Sequence, residues 1–242
     1  MKEYTQFQNH HVEIQRRPRQ RFIRLRVKSD GGLRITCARG TPKSEILHFI
    51  RESEGFISKS LRSLSEHRSK YPPKIFESGE SFLYLGERRS LQIVWSWDPR
   101  IRFQPNENEL EMVAPLASTR EDRQAAVMRY YQNFGRGYLR DRLTVHAEAM
   151  ELWPKTVSIR GQTTRWGSCS AKGEVSLNWK LMAAPEAVID YVIVHELAHL
   201  RHLNHSARFW ELVAKHFPAY GNAKKWLRQH EAEIAAQFLE AP

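Results

Sequence analysis

The stretch Val192-Ile-Val-His-Glu-Leu-Ala-His199 constrains this 242-residue chain more than any other. It sets two imidazoles four residues apart on an apolar segment, and residues at that spacing on a helix project side by side from adjacent turns. Val188 and Val192 share their stripe, so His195 and His199 face the interior and can chelate one ion in a partly dry pocket. Glu196 lies one residue round from His195. It is badly placed to ligate the same ion but well placed to hold a water bound to it, the position of a general base.

A catalytic tetrahedral zinc takes a third protein ligand and keeps a fourth position open. His202 stands roughly 10 Å of helical rise from His195, too far for one small ion to bridge. His205 requires the chain to turn first. Asn204 tolerates the left-handed conformation that ends helices, and Ser206 suits the N-cap of a following helix, Ala207 to His216. His205 is therefore the favoured third ligand. Glu211, Glu231 and Glu233 remain rivals, because zinc sites with two histidines and a glutamate also occur.

With 41% hydrophobic residues the chain can bury a real core, and no run is long and apolar enough to span a membrane or lead a secreted chain. Two cysteines, Cys37 and Cys169, are too few for a disulfide framework, and the expected setting is cytosolic. The net charge of +11 is uneven: residues 1–40 hold ten Lys and Arg against three Asp and Glu. Such a field favours polyanions, nucleic acid or nucleotides.

Residues 12–15 and 22–28 read as strands, and Asp30-Gly31-Gly32 turns the chain into a further strand, 33–38. Alternation puts Ile23, Leu25, Val27, Leu33, Ile35 and Cys37 on one face and the basic Arg24, Arg26, Lys28 and Arg34 on the other. No aromatic residue is interleaved on that basic face to stack bases, so sequence-specific single-strand binding is not expected and contact with backbone phosphates is what remains. One packing helix is expected from Thr41-Pro42 to about His67, then hairpins 82–85/91–97 and 101–103/110–113, with Trp95 and Trp97 in the core. A long helix follows from Thr119 to about Met150, with Glu121 and Asp122 in its first turn. The fold class expected is α+β: a basic β-rich portion, residues 1–117, made of antiparallel hairpins and one helix and packed on a metal-bearing core, residues 118–242. No internal repeat is visible in the sequence.

Strands at 157–160, 166–169 and 175–179 precede the metal helix, which Pro185 starts. A substrate peptide can add itself to the edge of such a ribbon. Gly167 permits close backbone approach, and Arg165, Trp166 and Ser168 flank it as candidate substrate contacts. Cys169 reads as a small buried residue rather than a ligand, and Tyr220 as packing rather than a hydrogen-bond donor to the reacting group.

Arg165-Trp-Gly-Ser-Cys169, Tyr191-Val-Ile-Val-His-Glu-Leu-Ala-His199 and Asn204-His-Ser-x-x-Phe-Trp210 together resemble the YgjP-like family of zinc metallopeptidases, relatives of the SprT-like proteases. The likeness extends over nearly the whole chain. It implies a zincin-like core with Zn2+ on His195, His199 and His205 and with Glu196 as base. The spacing to His205 also resembles metzincins, although His202 replaces their glycine and no methionine follows Met182. Members of the resembled family have been described as metallopeptidases and as metal-dependent nucleoside triphosphate pyrophosphatases. Peptide hydrolysis is the first expectation and pyrophosphate hydrolysis the second, since no P-loop and no carboxylate cluster for magnesium is present. A nucleic-acid-binding protein with a structural zinc is the third.

Overall fold

The computed structural model describes residues 2–28, 30–105, 108–162 and 165–238. The chain forms two compact units, one ending at Pro73 and one running from Lys74 to Phe238.

In the first unit, β1 (Lys2–Phe7), β2 (His10–Arg17), β3 (Arg24–Val27) and β4 (Leu33–Ala38) form a sheet of order β1-β2-β4-β3. Its middle pair, β2 and β4, is parallel, and the outer pairs are antiparallel. The expected alternation holds: Leu33, Ile35 and Cys37 are buried with Val12 and Ile14 against Ile46, Ile50 and Ile57 of the helices. Instead of one helix there are two, α1 (Lys43–Glu52) and α2 (Glu54–Lys70). They part at Ser53, whose amide still bonds the carbonyls of Phe49 and Ile50 while its backbone leaves helical geometry.

The second unit opens with β5 (Ser81–Tyr84), β6 (Glu87–Ser96), β7 (Arg102–Pro105) and β8 (Glu109–Pro115), in the order β5-β6-β8-β7 and again with a parallel middle pair. The two sheets thus share strand order and directions, a repetition of topology that the sequence does not display. Neither is a plain stack of antiparallel hairpins. Trp95 and Trp97 are not core residues: β5 pairs only with the first part of β6, so the strand end runs past its cover, and Trp97, beyond the last residue of β6, is 91% exposed.

α3 (Arg120–Met150) begins with a capping box between Thr119 and Asp122. Its Arg123 donates to the Phe76 carbonyl at 2.8 Å and Tyr131 to the Leu83 carbonyl at 2.7 Å. These bonds tie the β5–β8 sheet to the helices. The boundary expected at 117/118 therefore falls instead near residue 73, because residues 76–114 share one apolar core with α3 and with the metal helix.

β9 (Thr156–Arg160), β10 (Gly167–Cys169) and β11 (Glu174–Asn178) make a small sheet of order β10-β11-β9, with β11 parallel to β9 and β10 at one edge. A 3₁₀ turn, Trp179–Ala183, leads to α4 (Glu186–Ala198), and α5 (Ala207–His216) and α6 (Tyr220–Gln237) complete the unit. α4 is buried on nearly every side, at about 1.5–3 kcal/mol for each fully buried Val, Ile or Leu. Its β-branched residues have little helix preference of their own, so packing holds it. The β5–β6 turn braces its start: Gly86, at φ 83°, lies so close to Pro185 that a Cβ there would meet the proline Cα at 2.8 Å.

Candidate metal centre

α4 carries His195 and Glu196 in its last turn and ends at Ala198, with His199 as its C-cap. The helix stops earlier than the sequence suggests. The amides of Leu200, Arg201 and His202 fold back onto the carbonyls of Leu197 and Ala198, and Asn204 keeps a negative φ. This tight turn returns His205 to the two helical histidines.

Ligand nitrogens of His195, His199 and His205 all lie within 4.8 Å of one another, and Nε2 of His195 is 3.0 Å from Nε2 of His205. Nitrogens on a tetrahedral zinc, each at about 2.0–2.1 Å, stand about 3.3–3.4 Å apart, so this donor set fits one such ion. His199 Nδ1 donates to the His202 carbonyl at 3.0 Å, which turns its Nε2 toward the other rings. His202 thus contributes its backbone to the site, and its imidazole stays outside the cluster. Glu211, Glu231 and Glu233 also stay outside it; Glu233 instead pairs with Arg88.

Burial, then the neighbouring His199, His205 and Lys224, hold His195 down to about 3. His199 is lowered chiefly by burial as well. Both are neutral at pH 7 and have a lone pair to give a metal. Phe209 packs against all three rings at centroid distances of 4.6–4.9 Å, and Trp210 stacks on His205. These aromatic walls were not read from the sequence as part of the site, although their spacing behind His205 could have flagged them.

Residues 21–230 match the family described as YgjP-like, metallopeptidase domain. The chain belongs to the YgjP-like family. It is accordingly a metal-dependent peptidase. Two solved metallopeptidase zymogens are similar in part. Abylysin of Pyrococcus abyssi is 25% identical over 38% of this chain and 95% of its own, with a TM-score of 0.35. Jannalysin of Methanocaldococcus jannaschii is 19% identical over 38% and 96%, with a TM-score of 0.36. No curated protein matches the chain.

In this YgjP-like chain Glu196 is 6% exposed, and burial raises its carboxyl to about 7 against the opposing pull of the Arg165 charge. Strand β10 passes directly over it. A Cβ on Gly167 would sit 2.7 Å from Glu196 Oε1, so only glycine lets the strand approach this closely. Ser168 and Cys169 follow on the same strand, and burial followed by the Glu196 charge raises the Cys169 thiol to about 11. That thiol is a neutral neighbour at pH 7 and stands outside the ligand cluster. Arg165 is exposed and Trp166 half-buried at the start of the strand. Asn178, buried at the end of β11, fixes both: its side-chain amide donates to the carbonyls of Gln162 and Arg165, each at 2.8 Å, and its backbone amide to that of Trp166. Its Oδ1 also accepts from the Lys180 amide at 3.1 Å and caps the 3₁₀ turn, but nothing in the sequence pattern marks Asn178 as the brace of residues 162–166, which lie more than ten residues away. Tyr220 stacks on Trp210 at 5.3 Å, which agrees with packing as its role.

Proposed function

We propose that this YgjP-like peptidase holds zinc on His195, His199 and His205 and hydrolyses peptide bonds in extended segments of protein laid along β10, with Glu196 as general base. The observation that carries the reading is the convergence, at the end of one buried helix, of three imidazoles able to ligate one ion, a buried carboxyl beside them, and an edge strand. A bound zinc supplies a Lewis acid that polarises the peptide carbonyl and makes water a better nucleophile near neutral pH.

The chain's own residues do the rest. Glu196 takes a proton from the attacking water and returns it to the leaving nitrogen, and a carboxyl with its pKa near the working pH does both efficiently. The outer edge of β10 offers Gly167, Ser168 and Cys169 main-chain groups that hydrogen-bond an extended substrate, independently of its side chains. Arg165 at the mouth of this edge presents a fixed fork of donors to substrate carbonyl or carboxylate oxygens. The free state of both cysteines supports a reducing, cytosolic setting.

The test is product analysis by mass spectrometry after the zinc-loaded protein meets an unfolded protein, a peptide library and nucleoside triphosphates, with Glu196→Gln in parallel. Peptide fragments that vanish with Glu196→Gln are expected. Nucleoside monophosphate that vanishes with Glu196→Gln, without peptide fragments, would replace this reading by pyrophosphate hydrolysis.

A further inference from the structure

The first compact unit carries a cluster of charge in which the metal centre has no part. Between β3, the edge of its sheet, and α2 lies a groove of about 750 Å3. Arg17, Arg24, Arg26, Lys28 and Arg34 line it from the strands. Two of these cations are matched internally: Lys28 pairs with Asp30 at 2.6 Å and Arg34 with Glu13 at 2.9 Å. The others are not. Arg17, Arg24 and Arg26, together with Arg19 and Arg21 in the segment that joins β2 to β3, are all exposed. None of the five makes an ion pair with another described residue.

Five like charges within ten residues repel one another, and a protein that needs only a hydrated surface gains nothing by concentrating them. Arg24 and Arg26 project from the same face of β3 about 6.7 Å apart, twice the strand rise. Successive phosphates of an extended nucleic-acid strand can follow such a repeat. The opposite wall has a different chemistry. Phe56 and Ser60 lie four residues apart on one stripe of α2, both line the groove, and Phe56 is 55% exposed. Phe22, 72% exposed, stands among the arginines at the approach to β3. Aromatic faces beside a basic track suit unpaired bases, which a duplex keeps inside its stack. The strand alternation alone hides this, because Phe56 comes from a helix about thirty residues further along the chain than β3.

We propose that this groove binds single-stranded nucleic acid, with Arg17, Arg24 and Arg26 on successive phosphates and Phe56 under a base. The site is independent of the metal and of the peptidase reading.

The experiment is fluorescence anisotropy of mixed-sequence 12-nucleotide single-stranded RNA and DNA with the full chain, from low to physiological salt. A competing duplex and phosphatidylserine vesicles serve as alternative polyanions. Single strands are expected to bind, with affinity falling on a log–log plot against salt at a slope of about −2 for three neutralised phosphates. Arg24→Gln/Arg26→Gln, both on the surface, is expected to weaken binding about tenfold or more and to flatten the slope by roughly 1.4. Phe56→Ala is expected to weaken it on the order of tenfold with the slope unchanged. Circular dichroism melting of each variant separates loss of a contact from loss of fold. No binding at low salt, a duplex bound as tightly as the single strand, capture of vesicles without oligonucleotide, or variants that bind as the parent does would each overturn the proposal.

Discussion

At the scale of single residues, the site depends on how little room there is. Gly167 is the clearest case, because a methyl group there would overlap the Glu196 side chain. In the Gly167→Ala protein the carboxyl is expected to shift by about 1 Å while the three histidines stay in place, and misplacement of that size costs about a hundredfold in rate. Zinc stoichiometry by elemental analysis should remain at one, and the turnover of a fluorogenic peptide should fall by about that factor. Unchanged turnover would separate Glu196 from the chemistry. Part of this scale was legible in advance: the spacing of His195, Glu196 and His199 carries its own geometry, whereas the turn that returns His205 is made by Leu200, Arg201 and His202 and not by a left-handed Asn204. The role of Asn178 was not legible, since a buried amide acquires its role from partners that folding brings to it, whereas Phe209 stood in the motif and only its packing on the three rings needed the fold.

At the scale of elements, α3 and α4 are joined by an ion-pair network. Arg142 donates to both carboxylate oxygens of Asp190 from Nε and Nη2, its Nη1 lies 3.4 Å from Glu186 Oε1, and His146 Nε2 lies 3.0 Å from Asp190 Oδ1. Burial alone would raise the Asp190 pKa, but the nearby His146 ring and the Arg142 guanidinium outweigh it and leave it below its ordinary value. A carboxyl lowered in the folded state contributes stability above the unfolded value of about 3.9, and loses it as pH falls through the folded one. Asp190→Asn should therefore cost about 1–3 kcal/mol at pH 7, where it removes the more buried of the two carboxylates that Arg142 meets and leaves it only Glu186. The deficit should shrink steadily below about pH 4. Urea titrations of both proteins across pH 3–7 measure it, and a deficit independent of pH would mean that packing rather than charge joins the helices. The order of the strands was beyond the sequence for a related reason: alternation gives faces, but pairing β2 with β4 or β6 with β8 is a long-range choice.

At the scale of the molecule, a ligand that binds only the folded site stabilises the unit that owns it. If zinc is the ion, as proposed, a hundredfold excess over its dissociation constant is expected to add about 2.7 kcal/mol and to raise the melting temperature of the Lys74–Phe238 unit by about 5–10 °C. Calorimetry with zinc and with a chelator measures the shift, and His199→Ala should abolish it; a shift that survives would place the ion elsewhere. The fold class was legible as α+β, but the division between units was not, because the β5–β8 sheet resembles its neighbour in pattern while its side chains belong to the core of α4. That core gathers residues from Phe76 to Phe238, and α4 has little tendency to be helical without it. During synthesis, then, a ribosome-bound chain that has already exposed both motif histidines still lacks Ile234 and Phe238. The peptide-cutting apparatus therefore gains its full support only once the chain has been made as far as Phe238, so synthesis reaches the ligands well before it completes the frame that holds them.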